Sequence, residues 1–260
     1  MNDAPLSAPP TDAVKPMSLT DKIVGVLASP GELFDNVRLT PKTTSNWLVP
    51  TLILVLVGVL MSTLVLTNAS LYDQYKHMAD QQVEKSLQKQ IAEGKITQQQ
   101  ADQAHEQMAA YGSIGIYIQR YGGAILGPFI ALFLVSLLYW LLGKGVMKAT
   151  APYMKVAEVV GLTFFIGVIE SIVTTMLSIG LNNAFASPSL ALTISDFSID
   201  NKMHLLAASM NVFTFWSLAV ISIGLSRLFQ KDFPKVAVLV FALWLLWTLF
   251  AVFVLTMLRA

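Results

Sequence analysis

Five long apolar runs, at residues 47–66, 124–142, 159–181, 205–225 and 236–257, limit what this chain can fold into. Each is about twenty residues, and at about 1.5 Å of helical rise per residue each matches a hydrocarbon core of roughly 30 Å. Lipid offers peptide groups no hydrogen bonds, so such runs must satisfy their own backbone as helices. The expectation is an all-α integral membrane protein with five transmembrane helices. Only 13% of the residues are charged, against about 25% in an ordinary soluble domain. The net charge of +1 projects no field that would attract nucleic acid. With no cysteine, disulfides, thiolate metal sites and a cysteine nucleophile are excluded.

The polar segments between the runs suggest three parts. Residues 1–17, with Pro5, Pro9, Pro10 and Pro16, read as a disordered tail and lack the basic start and immediate apolar core of a signal peptide. Residues 18–46 read as a cytoplasmic interfacial amphipathic segment, or else as a short soluble helix pair packed on the loops. Ser18 with Asp21, and Ser29 with Glu32, match helix-capping spacing, and Pro30 falls at a first helical position. Residues 47–258 form the membrane domain. Its insert, residues 68–122, is glutamine-rich and predicts an extramembrane helical hairpin between the first and second spans. Gly94 marks a helix stop there, and Thr97 with Gln100 a new cap.

Basic residues set the orientation. With five spans, Lys15, Lys22, Arg38, Lys42, Lys144, Lys148, Lys155, Arg227, Lys231 and Lys235 fall on one side. On the other side only Lys76, Arg120, Lys202 and Arg259 lie near a membrane end. The expected topology is an N-terminus in the cytoplasm and a C-terminus outside.

Glu170 stands midway along the third run. A carboxyl at that depth costs about 2.5–3.5 kcal/mol or more, so it is expected to face the bundle interior. Thr174 follows on the same helix, and Asn211 on the fourth run is a candidate partner across the bundle. The group admits an ion or proton site, a polar hub for a partner helix, or a protonated acid that only helps helices pack. Gly123 and Gly127 form a GxxxG step suited to close helix packing, and Arg120 is placed to snorkel to the interface. There are no catalytic or metal signatures: no HExxH, no GxSxG and no GxxxxGK[ST], with His77, His105 and His204 far apart. No enzyme activity and no cofactor are expected.

The order of features resembles the bacterial branch of the Yip1 domain family. The resemblance rests on Ser29-Pro30-Gly31-Glu32-Leu33-Phe34 before the first span and Trp47-Leu48-Val49-Pro50 at its mouth. It continues with Asn211-Val212-Phe213-Thr214-Phe215-Trp216, Ile223-Gly224-Leu225-Ser226, the basic turn Lys231–Lys235, and Trp244 and Trp247 in the last span. It implies five transmembrane helices with a cytoplasmic N-terminus, in a bacterial inner membrane. Eukaryotic members bind small GTPases in vesicle traffic, but their DLYGP-type motif is absent here, which leaves Rab-type binding without its signature. The family brings no catalytic residues. The expected function is a non-enzymatic protein that organises or recruits other membrane proteins, with self-association as one form of this. The alternative is a transporter, channel or accessory permease subunit using the polar site around Glu170. The bilayer itself is the one partner the sequence demands.

Overall fold

The computed structural model describes residues 14–255, with the side chains of residues 109–111, 113 and 255 left aside. Most of the expected tail, the last residues of the fifth run and Arg259 lie outside them. Every element among the described residues is helical, apart from an isolated antiparallel bridge between Ser189 and Asn211.

Two short helices come first, α1 (Leu19–Ala28) and α2 (Pro30–Leu39). Ser18 and Asp21 cap α1 reciprocally, Asp21 N–H donating to Ser18 Oγ at 3.2 Å and Ser18 N–H to Asp21 Oδ2 at 3.3 Å. The matching expectation at Ser29 does not hold. Ser29 precedes α2 but its hydroxyl caps nothing, and Pro30 simply removes one of the N–H groups that would need a partner. Asn36 on α2 reaches back to the start of the chain, donating to the Lys15 carbonyl at 2.9 Å and accepting from Met17 N–H at 3.3 Å.

The five helices long and apolar enough to cross a membrane are α3 (Ser45–Thr67), part of α5 (Gln98–Val146), α6 (Tyr153–Gly180), α8 (Val212–Phe229) and α9 (Phe233–Leu249), which runs on as a π-helical turn to Leu255. The protein is an integral, multi-pass membrane protein. Helices α6 and α8 form the buried centre, while α3, much of α5 and α9 turn apolar side chains such as Leu56, Ile130 and Val238 outward.

Between α3 and α5 lies α4 (Ala69–Ala92), which packs along the first part of α5. The joint is built as the sequence predicts. Gly94 takes a left-handed φ of +70°, and Thr97 with Gln100 forms a capping box. Helix α5 is unbroken for 49 residues, about 73 Å at 1.5 Å per residue, so it leaves the apolar zone and continues as the second arm of the hairpin.

The fourth run is not one helix. A short helix, α7 (Lys202–Ser209), covers its first residues, and α8 starts only at Val212. The reason is local: Asn211 is extended, and its Oδ1 accepts from Phe213 N–H at 2.9 Å as an N-cap. Leu190 N–H to Met210 C=O (3.3 Å) and Val212 N–H to Pro188 C=O (3.1 Å) lock the break in place. The third span likewise begins before its apolar run, at Tyr153, because Lys155 and Glu158 are drawn into the protein.

Candidate functional site

Helix α6 carries two polar features of the bundle. Near its start, Glu158 and Lys155 are 1% and 6% exposed. Three residues apart, they share one helix face, and Lys155 Nζ lies 3.1 Å from Glu158 Oε2. Lys155 also donates to the carbonyls of Val37 (2.6 Å) and Pro41 (3.2 Å). Glu158 accepts from Thr43 N–H (3.0 Å) and Asn46 Nδ2 (2.8 Å). Every partner outside α6 belongs to the segment from the end of α2 to the start of α3. The pair therefore satisfies a buried, irregular stretch of backbone and fixes the α1–α2 pair to the bundle. Sequence reading assigned Lys155 to a loop and did not single out Glu158. The available signal was an i,i+3 pair of opposite charges at the head of an apolar helix.

Two tight crossings seal the same end. A Cβ on Gly161 would lie 2.5 Å from Trp47 Cα, so the backbones of α3 and α6 touch there. At Gly224 an added Cβ would meet Val159 Cγ1 at 2.5 Å and the Phe34 ring at 3.0 Å. Arg227 sits over Gly31 and faces Asp35 at 3.4 Å.

Glu170 lies further along α6. Its Oε1 accepts from Asn211 Nδ2 at 2.7 Å. Asn211 thus uses its oxygen to cap α8 and its nitrogen to hold the acid. The expected pairing of Glu170 with Asn211 is present, but Asn211 stands at a helix end rather than within a span. Glu170, Ser171 and Thr174 line a cleft of about 770 Å³ between α3, α5 and α6, which α4 overlies. Gly123 lines the same cleft, while Gly127, one turn along, does not. A Cβ on either glycine would meet nothing within 4 Å, so the GxxxG step makes no close approach among the described residues. Where α3 and α5 do come near, a Cβ on Gly58 would lie 3.4 Å from Ala124 Cβ.

Arg120 also lines the cleft. Its guanidinium lies over the Tyr75 ring, 4.0 Å from the centroid, and its Nε is buried without an acceptor among the described residues. An unmet buried donor costs about 1–3 kcal/mol, more when charged. The Tyr75 hydroxyl donates to the Ala184 carbonyl at 3.1 Å, and burial pushes its pKa up against a smaller downward pull from Arg120. Gln74 donates to Asn182 C=O at 3.0 Å and accepts from Ala184 N–H at 2.9 Å, and Lys85 pairs with Asp200. Together these tie α4 to the 181–201 loop. Among the described residues no cluster of His, Asp and Glu is placed to hold a metal ion.

Segments that carry the resemblance in the sequence meet at the sealed end: Ser29–Phe34 on α2 against Ile223–Ser226 on α8, with Trp47 against α6. The family model described as Yip1 domain matches residues 24–255. The chain belongs to the Yip1 domain family. Comparison with curated proteins and with solved structures gave no match. In this Yip1 protein, then, Gly31 and Gly224 have a physical role: Gly224 leaves room on α8 for the Phe34 ring of α2, and Gly31 leaves room on α2 for the Arg227 side chain of α8.

Proposed function

We propose that this Yip1-family protein is a non-enzymatic membrane scaffold that organises or recruits other membrane proteins. In this reading it lies in a bacterial inner membrane, with the N-terminus and the α1–α2 pair in the cytoplasm. The α4–α5 hairpin and the C-terminus are then outside. The observation that supports it best is the hairpin. Its α4 arm is polar on its outer face, with Gln81, Glu84, Lys85, Gln88 and Lys89 exposed, yet it is tied down through Gln74 and Tyr75. A rigid polar platform favours recognition because little order has to be imposed on binding.

The test uses a photo-crosslinking residue placed at Gln81 or Lys89, followed by mass spectrometry of the adducts. Recurrent protein neighbours are expected; adducts with lipid alone would overturn the reading. Orientation is accessible because the chain has no cysteine of its own. Cysteine introduced at Gly94 should react with a membrane-impermeant maleimide in intact cells, and cysteine at Lys148 only after lysis; the reverse would invert the proposed topology. The transporter reading draws on the cleft beside Glu170. Flux in liposomes that is lost in Glu170→Gln would favour it over the scaffold.

A further inference from the structure

We infer that the cleft between α3, α5 and α6 binds one phospholipid, with the headgroup phosphate on Arg120 and a primary-amine headgroup preferred because Glu170 lines the same cleft. Three glycines line it, one per helix, Gly58, Gly123 and Gly167, and at Gly123 an added Cβ would enter open space. Gly123 and Gln119, at its rim, are exposed, whereas Ser62 and Thr175 are buried at its base. An exposed rim between membrane-crossing helices faces the bilayer, so the ligand that reaches it most readily is a lipid. At about 770 Å³ the cleft has the size of a small-molecule site. It takes a headgroup and glycerol and leaves the acyl chains among the apolar flanks of α3 and α5.

The chemistry of the walls selects the headgroup. Arg120 offers a planar fork of N–H donors suited to a phosphate, and one of them, Nε, is buried with no acceptor among the described residues. The Tyr75 ring holds the guanidinium plane from one face and leaves its edge donors free. Among the described residues Glu170 accepts a side-chain hydrogen bond from Asn211 and lies in no ion pair, so an incoming ammonium gives it a counter-charge. An additional negative headgroup would face that carboxyl instead. This inference stands apart from the scaffold reading, and either can fail without the other.

The probe is an equimolar mixture of phosphatidylethanolamine and phosphatidylglycerol with the same acyl chains, added to the full chain in mild detergent and read by native mass spectrometry. One retained lipid is expected, with the ethanolamine form favoured by about tenfold, a ratio equal to a tenfold difference in Kd. Arg120→Gln should lose the retained lipid of either type, and Glu170→Gln should keep a lipid but lose the preference. Gly123→Leu, whose first added carbon meets open space, should fold and exclude the lipid; Gly145→Leu, also in open space but away from the cleft, should not. Equal retention by wild type, Arg120→Gln and Gly123→Leu overturns the site. Equal retention of both lipids by wild type overturns the role given to Glu170. A partner helix crosslinked into the cleft would overturn the lipid as its occupant.

Discussion

Breaking the Lys155–Glu158 pair from one side should cost far more than removing it whole. At 3.1 Å and an effective dielectric near 20, the two charges attract by about 5 kcal/mol. Taking both from water costs several kcal/mol each, so the pair itself adds little net stability. Lys155→Met changes the balance. It leaves the Glu158 carboxylate buried with only the Thr43 N–H and Asn46 amide donors, and strips the cation from the carbonyls of Val37 and Pro41. The expected loss is about 3–5 kcal/mol. Glu158→Gln strands the cation and should cost a comparable amount. The double variant buries no unpaired charge, so its loss should fall short of the sum by about 2 kcal/mol. Unfolding in mixed micelles, followed by tryptophan fluorescence, measures the cycle. Hydrogen exchange should show α1 and α2 loosening first, because the partners of the pair lie in the segment that holds them. Single losses below about 1 kcal/mol, or strict additivity, would refute the argument.

Other outcomes follow from the same contacts. Gly161→Ala, whose Cβ would sit 2.5 Å from Trp47 Cα, should destabilise by about 1–3 kcal/mol in the same assay. Gly122→Ala, in open space, should be neutral or slightly stabilising; similar effects at the two sites would remove the claim of backbone contact. The Lys22 amine lies below the usual lysine range, first through burial and then through Lys155, with Glu158 opposing. It should therefore acylate ahead of exposed lysines at mildly alkaline pH, as peptide mass spectrometry would show. Since its folded value is depressed, its contribution to stability is present at pH above the ordinary lysine value and is lost as pH falls through the folded value. In the hairpin, Lys85→Ala should cost at most about 1 kcal/mol, both partners being exposed. Gln74→Ala removes two bonds to loop backbone and should raise hydrogen exchange at residues 182–186, whereas Lys85→Ala should leave exchange there unchanged.

The spans were legible because lipid imposes one requirement on every residue of a run: an apolar side chain on a helical backbone. That requirement is local, so a single sequence carries it. Capping is local too, and Ser18 with Asp21, Gly94, and Thr97 with Gln100 read correctly from spacing alone. The failures share a different cause. Ser29 resembled a cap, but α2 lies where Gly31 and Phe34 must meet α8, and that packing rather than a hydroxyl positions its first turn. Asn211 looked like a polar residue within a span, yet its amide serves a helix end and a distant acid at once, which spacing along one strand of sequence cannot express.

The glycines sharpen the same point. Gly123 and Gly127 carry the GxxxG spacing, yet a Cβ on either would meet nothing within 4 Å, while Gly161 and Gly224, which lie in no GxxxG step, hold the crossings where α6 meets α3 and where α8 meets α6 and α2. Spacing reports only that two small residues share a helix face; whether another helix lies against that face depends on residues far away in the chain. The open glycines and the closed ones then do opposite work. Closure at one end fixes the α1–α2 pair through Lys155 and Glu158. Openness at the other leaves room between the helices beside an acid and an under-satisfied arginine. A bundle built only to be stable would have no reason to keep that room, since filling it with larger apolar side chains would gain contacts. The cleft is therefore where the fold gives up packing, and Arg120 and Glu170 are the residues through which that loss can be offset by a ligand.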